Sequence, residues 1–211
     1  LTSEPTNIVI NENDPPIGQV TITGLAQEGE TLSASNNIQD GDGVGTITYT
    51  WSNGKTGETI TLEQSDVGTT ITVTAIYTDG QGTIETVTSQ ETATVANVND
   101  APTGQVTISG LVQEGETLTA SNNIQDEDGL GQITYTWSNG KTGETITLEQ
   151  SDVGSIITVT ATYTDQQGTP ETIVSEPTAR ITNVNDPPTG QVIITGLAQE
   201  GETLTASNTV Q

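Results

Sequence analysis

The side chains of this chain that could do chemistry are almost all carboxylates. Its 211 residues carry 28 Asp and Glu against 3 Lys and Arg, with no His and no Cys, for a formal charge of −25. Without His or Cys there is no ordinary triad base, no thiol nucleophile and no soft metal ligand. Ser65 and Ser151 each adjoin an Asp in sequence, but a nucleophile needs its base in space. The chain is therefore expected not to be an enzyme, and paired carboxylates are its only remaining catalytic candidates. Charge of this sign argues against nucleic acid and against an anionic membrane surface, and for cations as partners. No apolar run of about 20 residues exists, so no membrane insertion by a helix is expected. The absence of Cys removes disulfide staples and leaves the redox compartment open, and no secretory signal is visible.

The acidic positions recur with a fixed period. Asp14-Pro15-Pro16 returns as Asp100-Ala101-Pro102 and as Asp186-Pro187-Pro188, at offsets of 86 residues. Asp14 to Asn99 and Asp100 to Asn185 align without a gap and differ at 20 of 86 positions, so every residue of one repeat has a counterpart in the other. This periodicity predicts two whole repeats, 14–99 and 100–185. They are preceded by the last strand of another (1–13) and followed by the first two strands of a third (186–211), as in a piece of a longer array whose partial repeats lean on neighbours.

Each repeat reads as strands. Gln19 to Thr23 and Thr31 to Ser35 alternate, placing Val20, Ile22, Leu32 and Ala34 inward. Ile47, Tyr49 and Trp51 share a face ahead of Asn53-Gly54, a dipeptide suited to a type I′ hairpin turn. A short strand near Lys55 folds back. Ile60 and Leu62 mark the next strand, and Ile71, Val73, Ala75 and Tyr77 a long one. The last strand runs from about Thr83 to Val98, interrupted near Gln90, where the second repeat has Pro177 and the leading segment Pro5. Seven short strands with frequent turn signals and no helical period predict an all-β, Greek-key β-sandwich. The outward threonines, such as Thr48, Thr50, Thr72 and Thr74, read as a solvated β face; a hydroxyl array for ice, sugar or mineral is the alternative.

In a sandwich of this order successive turns fall at alternate ends. The turn with Glu28 and Glu30 and the turn with Asp66 then lie at the C-terminal end of the first repeat. Asp126, Asp128 and Asp165 lie at the N-terminal end of the second, and the linker holding Asn97, Asn99 and Asp100 runs between them. The same pattern recurs one repeat earlier at Asn13, Asp14, Asp40, Asp42 and Asp79, and one later at Glu114, Glu116, Asp152, Asn185 and Asp186. Uncompensated carboxylates about 5 Å apart repel by a few kcal/mol even at an effective dielectric near 20. A hard cation reverses that sign, and Ca2+, which takes 6 to 8 oxygen ligands with tolerant geometry, suits these donors better than magnesium. A solvated acidic surface is the competing reading.

The linker Asn97-Val98-Asn99-Asp100-Ala101-Pro102 resembles the Asp-x-Asn-Asp-Asn-Ala-Pro linker of cadherin repeats, and Asp126-Glu127-Asp128 and Asp40-Gly41-Asp42 resemble the cadherin Asp-x-Asp. Trp51 sits where immunoglobulin-like modules bury a tryptophan. With Tyr49-Thr50-Trp51, Asp66-Val67-Gly68 and Tyr77-Thr78-Asp79, the whole unit is similar to the Ig-like and cadherin-like repeats of giant bacterial (RTX-type) surface adhesins. That resemblance implies a non-catalytic extender, extracellular and secreted or at the cell surface, stiffened by inter-repeat calcium and partnered by neighbouring repeats of its own chain. The departures, Asn97 where cadherins have Asp and Ala101 where they have Asn, reduce the expected cluster to one or two ions. The alternatives are a glycan- or protein-binding module and a subunit of a self-assembling fibre, associating laterally or end to end.

Overall fold

The computed structural model describes residues 4, 7 and 10–211, so the expected leading strand falls largely outside the described residues, as does Pro5. Two compact units emerge. One takes the chain up to Ala101 with Asp126–Gly129 and Asp165–Thr169, and the other takes Pro102–Gln125, Leu130–Thr164 and Pro170–Gln211.

In the first unit β1 (Val20–Thr23), β2 (Thr31–Asn36) and β4 (Thr59–Thr61) form one antiparallel sheet, in the order β1-β2-β4. The strands β3 (Thr48–Trp51), β5 (Val73–Thr78) and β6 (Ile84–Thr88) form the other, in the order β3-β5-β6. This is the connectivity of an all-β sandwich. Alternation decides which side chains are inside: Val73, Ala75 and Tyr77 are buried, while Thr74 and Ile76 between them are only partly covered. Leu32, opposite Ile60 across the β2–β4 ladder, joins Trp51, Leu62 and Val95 in the same core. Trp51 is buried and donates its indole N–H to the Gly57 carbonyl at 2.8 Å, so its ring packs on aliphatic groups with its polar atom satisfied. Tyr49 lies half-buried against this core and accepts the Asn36 side-chain amide at 2.6 Å.

The segment after β6 changes partners. Ser89 and Thr92 still donate backbone N–H groups to Val73 and Ile71, but Ala96 donates to Ala26 and accepts from Glu28, in a parallel bridge beside the β1–β2 turn. That switch carries the chain to the linker.

The Asn53-Gly54 turn differs from expectation. A type I′ turn needs positive φ at both central residues, and among the described residues only glycines have positive φ, Gly54 at 84°. Gly54 N–H donates to the Trp51 carbonyl and Trp51 N–H to that of Lys55, which makes a three-residue loop closed by a left-handed glycine. The Asn53 side chain is engaged on both sides of this loop: its Oδ1 accepts the Lys55 N–H at 3.2 Å and its amide donates to Asp66 at 3.0 Å.

The second unit repeats this plan with β7 (Val106–Ser109), β8 (Thr117–Asn122), β9 (Thr134–Trp137), β10 (Thr145–Thr147), β11 (Val159–Thr164) and β12 (Pro170–Val174), in sheets β7-β8-β10 and β9-β11-β12. It also contains a hairpin of β13 (Val192–Thr195) and β14 (Thr205–Asn208), which pair with each other. Val192 and, just before β14, Leu204 are exposed, whereas Val106 and Leu118, at matching places in the complete sandwich, are buried.

Candidate metal centre

Glu28, Asp100 and Asp128, all in the first compact unit, bring one carboxylate oxygen each to within 4.8 Å of one another. Each is held by its own local structure. Glu28 sits in the β1–β2 turn, where its N–H donates to Ala96 and its Oε2 accepts the Val98 N–H at 3.2 Å. Asp128 belongs to an Asp-x-Asp loop in which its N–H donates to Asp126 Oδ1 at 2.9 Å, a local turn that Asp forms readily. The Asp100 N–H then donates to Asp128 Oδ2 at 2.8 Å, fixing the linker against the loop.

Asp128 is 2% exposed. Its other oxygen accepts the Gln64 side-chain amide at 3.0 Å, so both carboxylate oxygens are hydrogen-bonded while the charge stays uncompensated by any cationic side chain. At about 5 Å and an effective dielectric near 20, each carboxylate pair repels by about 3 kcal/mol before solvent screening. Two amide oxygens in the same unit, Gln64 Oε1 and Asn97 Oδ1, are buried without a hydrogen-bond donor, as is Asp165 Oδ2. Of these, the Gln64 amide adjoins the cluster through Asp128, and a buried acceptor without a donor is what a bound cation or ordered water satisfies. A donor set made only of oxygen fits a hard ion rather than a soft one.

Asp165 shapes its own hairpin, its Oδ1 accepting the N–H groups of Gln167 and Thr169 at 2.8 Å. In the first repeat Asp79 does the same with Gln81 and Thr83, at 2.8 and 2.7 Å, and its Oδ2 is likewise buried without a donor. Burial pushes the Asp79 carboxyl up, but the backbone N–H groups of Thr83, Gln81 and Gly82 and the Thr83 side chain outweigh it and hold the group below the usual carboxylate range. The Asp14 N–H donates to Asp42 Oδ2 and the Asn11 amide to Oδ1, at 2.8 and 2.7 Å. Asp40 accepts both the Asp42 N–H, at 2.8 Å, and the Tyr77 hydroxyl, at 2.5 Å. Burial first, then the Asp40 hydrogen bond and the charges of Asp40, Glu85 and Asp79, push the Tyr77 phenol well above its ordinary value. Asn13 donates to Glu85 at 2.8 Å.

Asp66 and Asp152 stand apart from the cluster. Each lies in a 3-10 turn, buried, with Oδ1 accepting Asn53 or Asn139 and Oδ2 accepting the backbone N–H of Glu63 or Glu149. Their oxygens are engaged in capping, a role that the Glu-x-x-Asp spacing signals. Gln64, two residues earlier, is the side chain from this turn that reaches Asp128, and a neutral residue gave no charge signal for it. Glu30 and Glu116 are exposed, with their backbones bonded to Leu62 and Leu148. Glu114 accepts the Val184 N–H at 3.1 Å, and Asn185 and Asp186 are exposed. Asn99 lies in the linker, exposed.

No protein-family model matches the chain, and no curated protein does. Among solved structures the chain is similar to one described as "Crystal structure of tetra-tandem repeat in extending region of large adhesion protein". The alignment covers 92% of this chain and 63% of that one, so this chain spans less than two thirds of its length, at 16% identity and a TM-score of 0.32.

Proposed function

We propose that the chain is a non-catalytic extender segment of a large extracellular adhesin, in which calcium held at the repeat junction stiffens the string. The approach of Glu28, Asp100 and Asp128 to within 4.8 Å carries this reading. By sequence Glu28 belongs to the first 86-residue repeat and the two aspartates to the second, so an ion held by all three would tie successive repeats. The ion offsets the mutual repulsion of the three carboxylates, and the orphaned oxygens of Gln64 and Asn97 supply the neutral ligands that calcium accepts alongside carboxylates. Magnesium fits less well, because it keeps its waters and demands a near-ideal octahedron. Near-identical repeats suit a part whose task is length. A chain without His or Cys suits a part with no catalysis to perform.

Calcium titration followed by melting and small-angle scattering tests the proposal. An ion that binds the folded array alone stabilises it by mass action, so saturating calcium is expected to raise the melting temperature by about 5 °C or more and to lengthen the particle. Chelation is expected to reverse both. A shape and melting point indifferent to calcium and to chelator would overturn the proposal.

A further inference from the structure

The side chain in contact with the most buried carboxylate of the cluster is neutral. Gln64 lies in the turn between β4 and β5, and its amide nitrogen donates to Asp128 Oδ1 at 3.0 Å while its oxygen stays buried without a donor. Its counterpart Gln150 in the second unit also reaches a carboxylate, but that of Glu114, the match of Glu28 rather than of Asp128. With its nitrogen turned to Glu114, the Gln150 amide donates to both carboxylate oxygens at 2.8 and 3.0 Å, with Asn183 3.1 Å away on the other side. In each unit, then, the turn glutamine reaches a carboxylate from an acidic corner. The position is not constrained to glutamine by core packing, since Gln64 is only partly buried and Gln150 is exposed.

We propose that Gln64 is the residue that sets the strength of the junction cation site. This rests on the reading of Glu28, Asp100 and Asp128 as that site. The amide N–H orients Asp128, and the amide oxygen adds a ligand without adding charge. Affinity for calcium rises with the number of charged ligands. A glutamate of the same shape at position 64 would make four carboxylates, bind calcium more tightly and repel Asp128 when the ion is absent. The neutral amide instead holds the site to three charges, which keeps the cation-free form tolerable and tunes the site to the high calcium of an extracellular setting.

Two substitutions with opposite expected signs test this in the full 211-residue chain, titrated with calcium chloride by calorimetry up to about 10 mM, which covers the range of extracellular calcium modules. Gln64→Glu is expected to tighten calcium binding about tenfold and to lower the melting temperature in chelator. Gln64→Met, which keeps the length and loses both amide functions, is expected to weaken binding about tenfold, the worth of a hydrogen bond to a charged group. Fluorescence of the buried tryptophans checks that both variants fold. If the unsubstituted chain binds no calcium, the proposed function fails and this inference falls with it. If that chain binds calcium and both variants bind within about twofold of it, or both weaken alike, the function stands and only the role of Gln64 is overturned.

Discussion

The loop that carries Asp42 and the loop that carries Asp128 are copies, and they end in different surroundings. In both, the aspartate N–H donates to the aspartate two residues earlier, and its Oδ2 accepts the N–H of Asp14 or Asp100 at 2.8 Å. The turn inside each loop is therefore made locally, and the bond from the linker 28 residues earlier recurs in both copies. What differs is the company. Asp42 is half-buried and its Oδ1 accepts Asn11, whereas Asp128 is buried, its Oδ1 accepts Gln64, and Glu28 and Asp100 crowd its charge. Among the described residues no third carboxylate comes as close to Asp14 and Asp42. A preformed aspartate loop is thus half of the proposed site, and the crowding of carboxylates comes from the groups that a different stretch of chain brings to it.

Substituting each loop breaks the comparison most directly. Asp128→Ala is expected to abolish the calcium-dependent rise in melting temperature. Asp42→Ala is expected to keep that rise whole while costing about 1 kcal/mol for its lost hydrogen bonds. A calcium response that survives Asp128→Ala and disappears with Asp42→Ala would move the ion to the first corner and refute the assignment. A smaller effect separates a capping acid from a ligand acid. Asp66→Ala leaves the Asn53 amide and the Glu63 N–H without their acceptor, and is expected to cost about 2 kcal/mol in urea unfolding, equally with calcium and with chelator. If the cost appears only with calcium, Asp66 serves the cation after all.

The sequence made the sandwich legible wherever one face of a strand is sealed. Leu32 with Ala34, and Val73 with Ala75 and Tyr77, alternate because a pleated strand has two sides and only one is dry. The linker position of Asp100 and the Asp-x-Asp spacing of Asp128 were legible for a similar reason: both features are local. Three things were not. The turn at Asn53-Gly54 is a three-residue loop in which Asn53 also bonds Asp66, 13 residues away, and dipeptide preference carries no such information. The inward turn of Asp66 depended on whether its oxygens would find Asn53 and the Glu63 N–H or solvent, although the spacing from Glu63 was available as a capping signal. Gln64 matters through one long-range hydrogen bond, and an uncharged side chain does not stand out among 28 acidic ones.

The smallest expected effect sharpens the comparison from the acid side. Asp79, in the hairpin beside the Asp42 loop, is held below the usual carboxylate range by N–H donors that outweigh its burial. A group with a depressed folded pKa contributes stability that is present above the unfolded value, near 3.9, and is lost as pH falls through the folded one. Asp79→Asn keeps an oxygen for the Gln81 and Thr83 N–H groups and removes the titration. In calcium-free buffer the difference in melting temperature between the parent chain and this variant is therefore expected to be flat from pH 7 to about 5 and to shrink below about pH 4. A difference that instead grows as pH falls would mean that the carboxyl is favoured in its protonated form, so that burial rather than the hairpin amides controls it. The hairpin would then no longer be a prefabricated anion site, and the view that each corner makes its own geometry before any cation arrives would lose its support at this loop.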